Sequence, residues 1–439
     1  MAGKKRSGLA SHRKAYVWPR STIEVPIMYT ITYNGNTNTS GNVPTDSNVP
    51  YSDGSIVTIL GNPGTLAKTG YTFSGWNTQA NGSGTSYSQG NTITISDNTI
   101  LYAKWTLTPS TPTPTSLSSV GGNQAAYILF TQSGTITNYE YSTDNGATFL
   151  PFNPPQVYSP VEINTLSSDG VTRLTNGTVY TVKLKAVNSG ESSLESVSVD
   201  VTPTITSLST TNQIVYLDAN NLSSYSGTGN TWTNLASSGA YSATLNGSPT
   251  FNTTDEPGNK YFQFNPGAAT GQFARINQGA DINAVTAQPF TIQMWVRINN
   301  IGSQGALVSK VFVDGEGGDY DGYSLYYQSN NTLQLHANGS QINYFTSVAG
   351  VLSSVWALYT ANINFGGING GVNKIFVNGR QVMTMTSTNR INYPTKNLTF
   401  PTGFGGEGEC DIGQFYYYKA QLTTEQIIQN YDATKSKYL

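Results

Sequence analysis

An all-β, multidomain protein is predicted, and three observations predict it. Charged residues make up only 10% of the 439-residue chain, while Gly, Ser, Thr and Asn recur throughout. Tyrosine, at 28 copies, outnumbers the 16 Phe and 6 Trp together. β-Branched and aromatic residues, which suit a pleated, half-buried surface, are plentiful beside thin helix formers. Short alternating runs end in Asn/Gly turns, as strands do. Aromatic residues at 11% are enough to build packed cores, so low charge does not mean disorder here. The length accommodates about three domains of roughly 100–200 residues each.

Residues 1–27 read as a basic arm. Within residues 1–20 lie Lys4, Lys5, Arg6, Arg13, Lys14 and Arg20 and no acid, leaving 16 basic against 24 acidic residues in the remainder. That acidic body argues against nucleic acid as the main partner. A solvated terminus is one reading of the arm. The other is an anchor docked on a partner protein, because ordering each residue costs on the order of 1–2 kcal/mol that contacts must offset. Residues 1–27 lack the apolar stretch of a secretory signal. No run approaches the roughly 18 apolar residues of a membrane span. Cys410 is the only cysteine, which excludes an intrachain disulfide.

Residues 28–106 form the first module. Tyr29–Tyr33 alternates as a strand into the turn Asn34-Gly35-Asn36, and Ile56–Ile59 follows. The blocks Gly70-Tyr-Thr-Phe-Ser-Gly-Trp76, Gly82-Ser-Gly-Thr-Ser-Tyr87 and Leu101-Tyr-Ala-Lys-Trp105 come in that order. In order and spacing they resemble the internalin-type B-repeat, a β-grasp-like module of surface proteins. The resemblance implies that Trp76 and Trp105 fill the core of a module too small to fold without them.

A Pro/Thr linker at 107–113 opens the second segment, residues 107–204. Tyr139–Ser142 reads as a strand entering a hairpin at Asn145-Gly146, residues that accept positive φ. Leu174-Thr-Asn-Gly-Thr-Val-Tyr180-Thr-Val-Lys-Leu-Lys-Ala-Val-Asn188 alternates with Tyr180, Val182, Leu184 and Ala186 inward. This pattern resembles a fibronectin type III domain, an Ig-like sandwich, and implies that Tyr180 is its corner tyrosine. Spacer is the role expected of it.

Residues 205–439 are the largest segment. Tyr216-Leu-Asp-Ala-Asn220, Ser224-Tyr-Ser-Gly-Thr-Gly229, Trp232-Thr-Asn-Leu235 and Thr244-Leu-Asn-Gly247 open it. Phe290–Ile298, Phe376-Val-Asn-Gly379 and Ile412-Gly-Gln-Phe415 follow. The order resembles a laminin-G-like, concanavalin-type jelly-roll sandwich, and its opening is similar to modules of phage fibres and large-virus structural proteins. One helix is predicted near the end. Thr423 and Gln426 form a capping box, Leu422 staples onto Ile427, and Ile427, Ile428 and Tyr431 supply an apolar side.

Three features of this segment could carry chemistry. Asp314, Glu316, Asp319 and Asp321 crowd a glycine-rich loop whose composition suits calcium, although the spacing is not that of an EF-hand. A solvated acidic turn is the competing reading. Glu409-Cys-Asp411-Ile-Gly-Gln414 approaches the E-x-D-x-x-E of glycoside hydrolases on this fold. Gln414 replaces the final acid, and an amide cannot protonate a leaving sugar, so no enzymatic activity is expected. Tyr320, Tyr323, Tyr326 and Tyr417 are candidates for stacking on sugars, with at least one of Tyr416–Tyr418 expected outside the core because strand neighbours face opposite ways. His12 and His336, the only histidines, leave almost nothing for a zinc site or a triad. The sequons at Asn38, Asn81, Asn246 and Asn397 are expected by chance in so Asn- and Thr-rich a chain.

The expectation is a non-enzymatic, virion-associated structural protein: a capsid decoration, spike or fibre component. Its arm would bind other capsid proteins, and its last domain would display a lectin-like face to host glycans. The alternative is a bacterial cell-surface adhesin binding glycans through the same domain. Three separate β cores in series are assumed in both.

Overall fold

The computed structural model describes residues 25–439 apart from 108–110, 189, 255–257, 266–270, 278, 280–281, 283–287, 311–321, 340, 347–351, 353, 365–370, 388–396 and 402–408. The basic residues Lys4, Lys5, Arg6, Arg13, Lys14 and Arg20 therefore lie outside the described residues. The chain divides into two compact units, Met1–Ser110 and Thr111–Leu439. Strands make up nearly all of the regular structure, and Thr424–Lys435 is the α-helix among the described residues. No helix among them is long and apolar enough to cross a membrane.

In the first unit Ile31–Asn34 pairs parallel with Thr99–Leu107, which pairs antiparallel with Tyr71–Asn77, and Ser86–Tyr87 closes this sheet. Ile56–Thr58 and Thr92–Thr94 form a separate ribbon. The alternation of the first strand holds, with Ile31 and Tyr33 buried and Thr32 and Asn34 exposed. Trp76 is fully buried, its ring 4.7 Å from Tyr33 in an edge contact, and its indole N–H donates to Leu60 O at 2.9 Å. Trp105 is half-buried, and its N–H donates to the carbonyls of Gly35 and Asn36. Both tryptophans serve the small core, as a module of this size requires.

The second unit begins with a two-sheet sandwich. Val161–Ile163, Ala125–Thr131 and Thr115–Gly122 make one sheet. Leu150–Pro151, Asn138–Ser142 and Tyr180–Asn188 make the other, with Glu191–Ser192 and Val199–Val201 both on the last strand. Val182, Leu184 and Ala186 point into the core with no exposure. Tyr180 is partly buried, and its hydroxyl accepts from Thr175 N at 3.0 Å, the bond back along the chain that a corner tyrosine makes. Asn145 (φ 59°) and Gly146 (φ 92°) take the positive φ values expected of the hairpin.

The rest of the unit is a larger sandwich of two eight-stranded sheets. In the first sheet Cys410–Tyr418 is central, with Phe290–Ile298 along one side. Along its other side lie Tyr261–Phe264 and then Gln213–Asp218. Ala357–Ile363, Gly371–Val377 and Arg380–Ser387 continue the sheet beyond Phe290–Ile298. The second sheet runs through Ala243–Asn246, Phe273–Ile276, Leu398–Phe400, Gly305–Ser309, Gly322–Gln328 and Thr332–Gly339. Between them sits the main core, from Leu217 and Phe262 to Phe415 and Tyr417.

The helix starts as its cap predicts. Gln426 N donates to the Thr423 hydroxyl while Thr423 N donates to Gln426 Oε1. Leu422 and Ile427 pack in one cluster, which is the staple.

Each of the three expected segments has a core of its own, but the two sandwiches are also packed together. A further apolar cluster joins Val120, Ala125 and Tyr127 of the smaller sandwich to Tyr261, Trp295, Trp356, Leu358, Ile428, Tyr431 and Tyr438 of the larger one. The joined face is apolar on both partners, and burying it removes it from water.

Candidate functional site

The residues singled out for chemistry divide into those outside the description and those turned inward. Asp314, Glu316, Asp319, Tyr320 and Asp321 fall outside the described residues, so the acidic loop has no geometry here. Among the described residues no group of three or more His, Cys, Asp or Glu side chains could hold a metal ion.

Tyr323, Tyr326 and Tyr417 are buried, at 2%, 6% and 1% exposure. Tyr323 and Tyr417 do come together, but as core. Their rings flank Phe290 at 4.7 Å and 5.4 Å, the latter stacked at 4°. A ring whose faces are taken by neighbours has none left for a sugar, so their expected exposure is corrected. The expectation that one of Tyr416–Tyr418 lies outside the core fails too. Tyr417 faces the sandwich interior, while Tyr416 and Tyr418 face the other way into a cluster with Phe376, Leu422 and Ile427. Strand alternation is obeyed, but the C-terminal helix covers the outer side.

The E-x-D-x-x-Q positions enter separate networks. Glu409 Oε1 accepts from Asn265 Nδ2 at 2.8 Å. Asp411 accepts from Arg297 Nε at 2.8 Å and from Asn299 Nδ2 at 3.0 Å. Arg297 in turn lies over the rings of Tyr261 and Trp356, which favours its charge by cation–π attraction. Gln414 donates from Nε2 to Asp218 Oδ2 at 2.8 Å and accepts from the Tyr416 hydroxyl at 2.6 Å. Asp411 and Gln414 are satisfied buried polar groups holding strands together, and Glu409 is a half-buried one.

A polar constellation the sequence did not single out lies in the seam between the two sandwiches. Asp432, on the helix, accepts from Asn123 N (2.7 Å), the Tyr127 hydroxyl (2.7 Å) and the Thr206 hydroxyl (2.6 Å). Lys435 bridges Asp432 at 2.9 Å to Glu162 at 2.6 Å and donates to the Tyr127 oxygen. Burial pushes the Asp432 carboxyl up, but the bonds from Thr206, Asn123 and Tyr127 and the Lys435 charge outweigh it and hold it below the ordinary range. Burial, with the Glu162 and Asp432 charges, pushes the Tyr127 hydroxyl far up. It therefore stays a proton donor. Farther along the seam the Arg380 guanidinium lies 4.0 Å over the Tyr158 ring. Gly122 fits because it lacks a Cβ, which would stand 2.8 Å from Asp432 Oδ1. The sequence signal was Asn430, Asp432 and Thr434 interleaved with the apolar residues of the helix, since all three are buried.

Comparison with known proteins places two parts of the chain. Residues 29–104 match the Listeria-Bacteroides repeat domain. Residues 270–428 match the concanavalin A-like lectin/glucanases superfamily. Two proteins of Evansella cellulosilytica are similar over short stretches. One, provisionally named a Gly-rich membrane protein, is 32% identical over 100 residues, 21% of this chain and 11% of its own length. The other, provisionally named a membrane protein, is 41% identical over 78 residues, 18% of this chain and 11% of its own. The chain thus matches about a tenth of each relative. Among solved structures, one titled for the dependence of botulinum neurotoxin type C cell entry on two ganglioside molecules has a TM-score of 0.39 and 17% identity, with 51% of each chain covered. The serotype D binding domain gives 0.39 and 13%, over 51% of this chain and 52% of that one. Likeness at such scores carries neither fold nor function.

Proposed function

We propose that this chain is a non-enzymatic cell-surface attachment protein whose C-terminal sandwich binds glycans. One observation carries the reading: residues 270–428 match a superfamily of lectins and glucanases, while the E-x-D-x-x-Q positions are tied into separate structural networks. The bacterial repeat at 29–104 and the relatives named as membrane proteins favour a bacterial surface over the virion expected from the sequence. The basic arm then anchors the chain to a neighbouring surface protein.

Packing supports one side of the larger sandwich as the binding face. The outer side of the sheet centred on Cys410–Tyr418 is occupied by the helix and the smaller sandwich. The other sheet is then the proposed binding face, and Asp314, Glu316, Asp319 and Asp321, in the segment that links Gly305–Ser309 to Gly322–Gln328 of that sheet, are the proposed oxygen ligands for calcium or hydroxyl groups. The test is a glycan array probed with the full chain, with and without calcium. Retention on a defined glycan class is expected, weakened when Asp314, Asp319 and Asp321 are replaced by Asn. Silence of the full chain under both conditions would remove the lectin reading and leave a scaffold.

A further inference from the structure

The smaller sandwich of the second unit is expected from its sequence to be a spacer, but one of its lateral sides is open. Leu150–Pro151 ends one sheet and Val161–Ile163 ends the other. Between these edges lies a cleft of about 490 Å³, whose lining includes Tyr141, Phe152, Asn153, Asn164 and Thr165. That volume falls within the about 300–1,000 Å³ typical of small-molecule sites.

An open edge ordinarily invites another strand, because it presents unpaired N–H and C=O groups. Both edges here are closed to that. Gln156 lies along Glu162 as a strand would, its Oε1 accepting from Glu162 N at 2.8 Å and its Nε2 donating to Glu162 O at 2.9 Å. On the opposite edge Pro151 has no N–H to offer, and the Phe152 carbonyl already accepts from Asn138 Nδ2 at 3.0 Å. A strand-shaped guest finds no ladder to join, so the cleft suits a compact one.

The remaining chemistry defines that guest. Tyr141 and Phe152 form a tilted aromatic pair at 4.8 Å. The Tyr141 and Thr165 hydroxyls are 2.7 Å apart, and whichever donates, the other's proton is left to give. The carboxamides of Asn153, exposed, and Asn164, half-buried, have no hydrogen-bond partner among the described residues. Each offers both a donor and an acceptor. The one carboxylate in the lining, Glu162, is already paired with Lys435. Hydroxyl and amide groups without an unpaired charge match a neutral polyol held by hydrogen bonds, the buried rings of Tyr141 and Phe152 forming an apolar floor.

We propose that this cleft is a second ligand site of the protein, taking one or two units of a neutral hexose. It is independent of the lectin-like sandwich. The test is a titration of the full chain with methyl glycosides of glucose, galactose, mannose and N-acetylglucosamine, followed by amide chemical shifts. Shifts confined to residues 138–170 are expected with at least one glycoside. Affinity should fall at least about tenfold in the double variant Asn153→Ala/Asn164→Ala, as the loss of one or two ligand hydrogen bonds implies. The unchanged melting temperature of that variant would separate a binding defect from a folding one. Shifts only within residues 205–439 would overturn this proposal while leaving the lectin reading in place. No shift in the cleft with any glycoside, or a double variant that binds as before, would overturn it as well.

Discussion

Replacing Asp432 by Ala tests the seam directly. The carboxylate has no exposed surface and receives three hydrogen bonds in addition to the Lys435 contact. Its removal strands the buried Tyr127 hydroxyl, an unsatisfied donor that costs about 1–3 kcal/mol, whereas the N–H of exposed Asn123 can turn to water. Breaking a buried ion pair from one side costs about 3–5 kcal/mol when the other charge is abandoned. Lys435 is not abandoned, because Glu162 stands 2.6 Å away. The lower end, about 3 kcal/mol, is therefore expected. At about 2–4 °C per kcal/mol, melting should fall by roughly 6–12 °C. Differential scanning calorimetry of the full chain gives the readout. Thr111–Leu439 should melt as one transition in the parent, and the variant should melt earlier with the smaller sandwich separating. The pH dependence follows from the same contacts. The folded carboxyl titrates below its ordinary value, so its contribution is complete above the unfolded pKa of about 3.9. It is lost as pH falls through the lower folded value, and the variant should lack that part of the acid sensitivity. A variant that melts within a degree of the parent, or a parent whose two sandwiches melt apart, would refute the reasoning.

Three further outcomes are expected. Gly413→Ala places a Cβ 2.3 Å from the hydroxyl of Tyr438, a buried ring stacked on Trp295. Overpacking should cost about 1–3 kcal/mol in denaturant titrations, and a stability equal to the parent's would show that the C-terminal segment yields freely. Trp76→Ala should remove about 3–5 kcal/mol from the first unit, enough to unfold so small a module while the second unit's transition stays in place. Loss of both transitions would contradict two compact units. Cys410 is fully buried, and burial with the neighbouring Asp411 charge pushes its thiol up. Labelling by a thiol reagent at neutral pH should therefore follow unfolding, and rapid labelling of the folded chain would contradict the packing.

Local patterning in this chain determined its local structure. Alternation placed Val182, Leu184 and Ala186 inward. Asn145-Gly146 and Asn378-Gly379 adopt positive φ at their turns, and Thr423 with Gln426 started the helix. Each depends on interactions within a few residues, so the order of amino acids suffices. Tertiary structure decided which faces meet water. Tyr416 and Tyr418 alternate correctly with Tyr417, yet the outer side of their strand is closed by a helix formed later in the chain. Tyr127 and Asp432 lie far apart in sequence and become partners when the two sandwiches pack against each other. Periodicity tells which side of a strand a residue takes. What covers that side depends on how distant elements pack, and a one-dimensional pattern does not encode it.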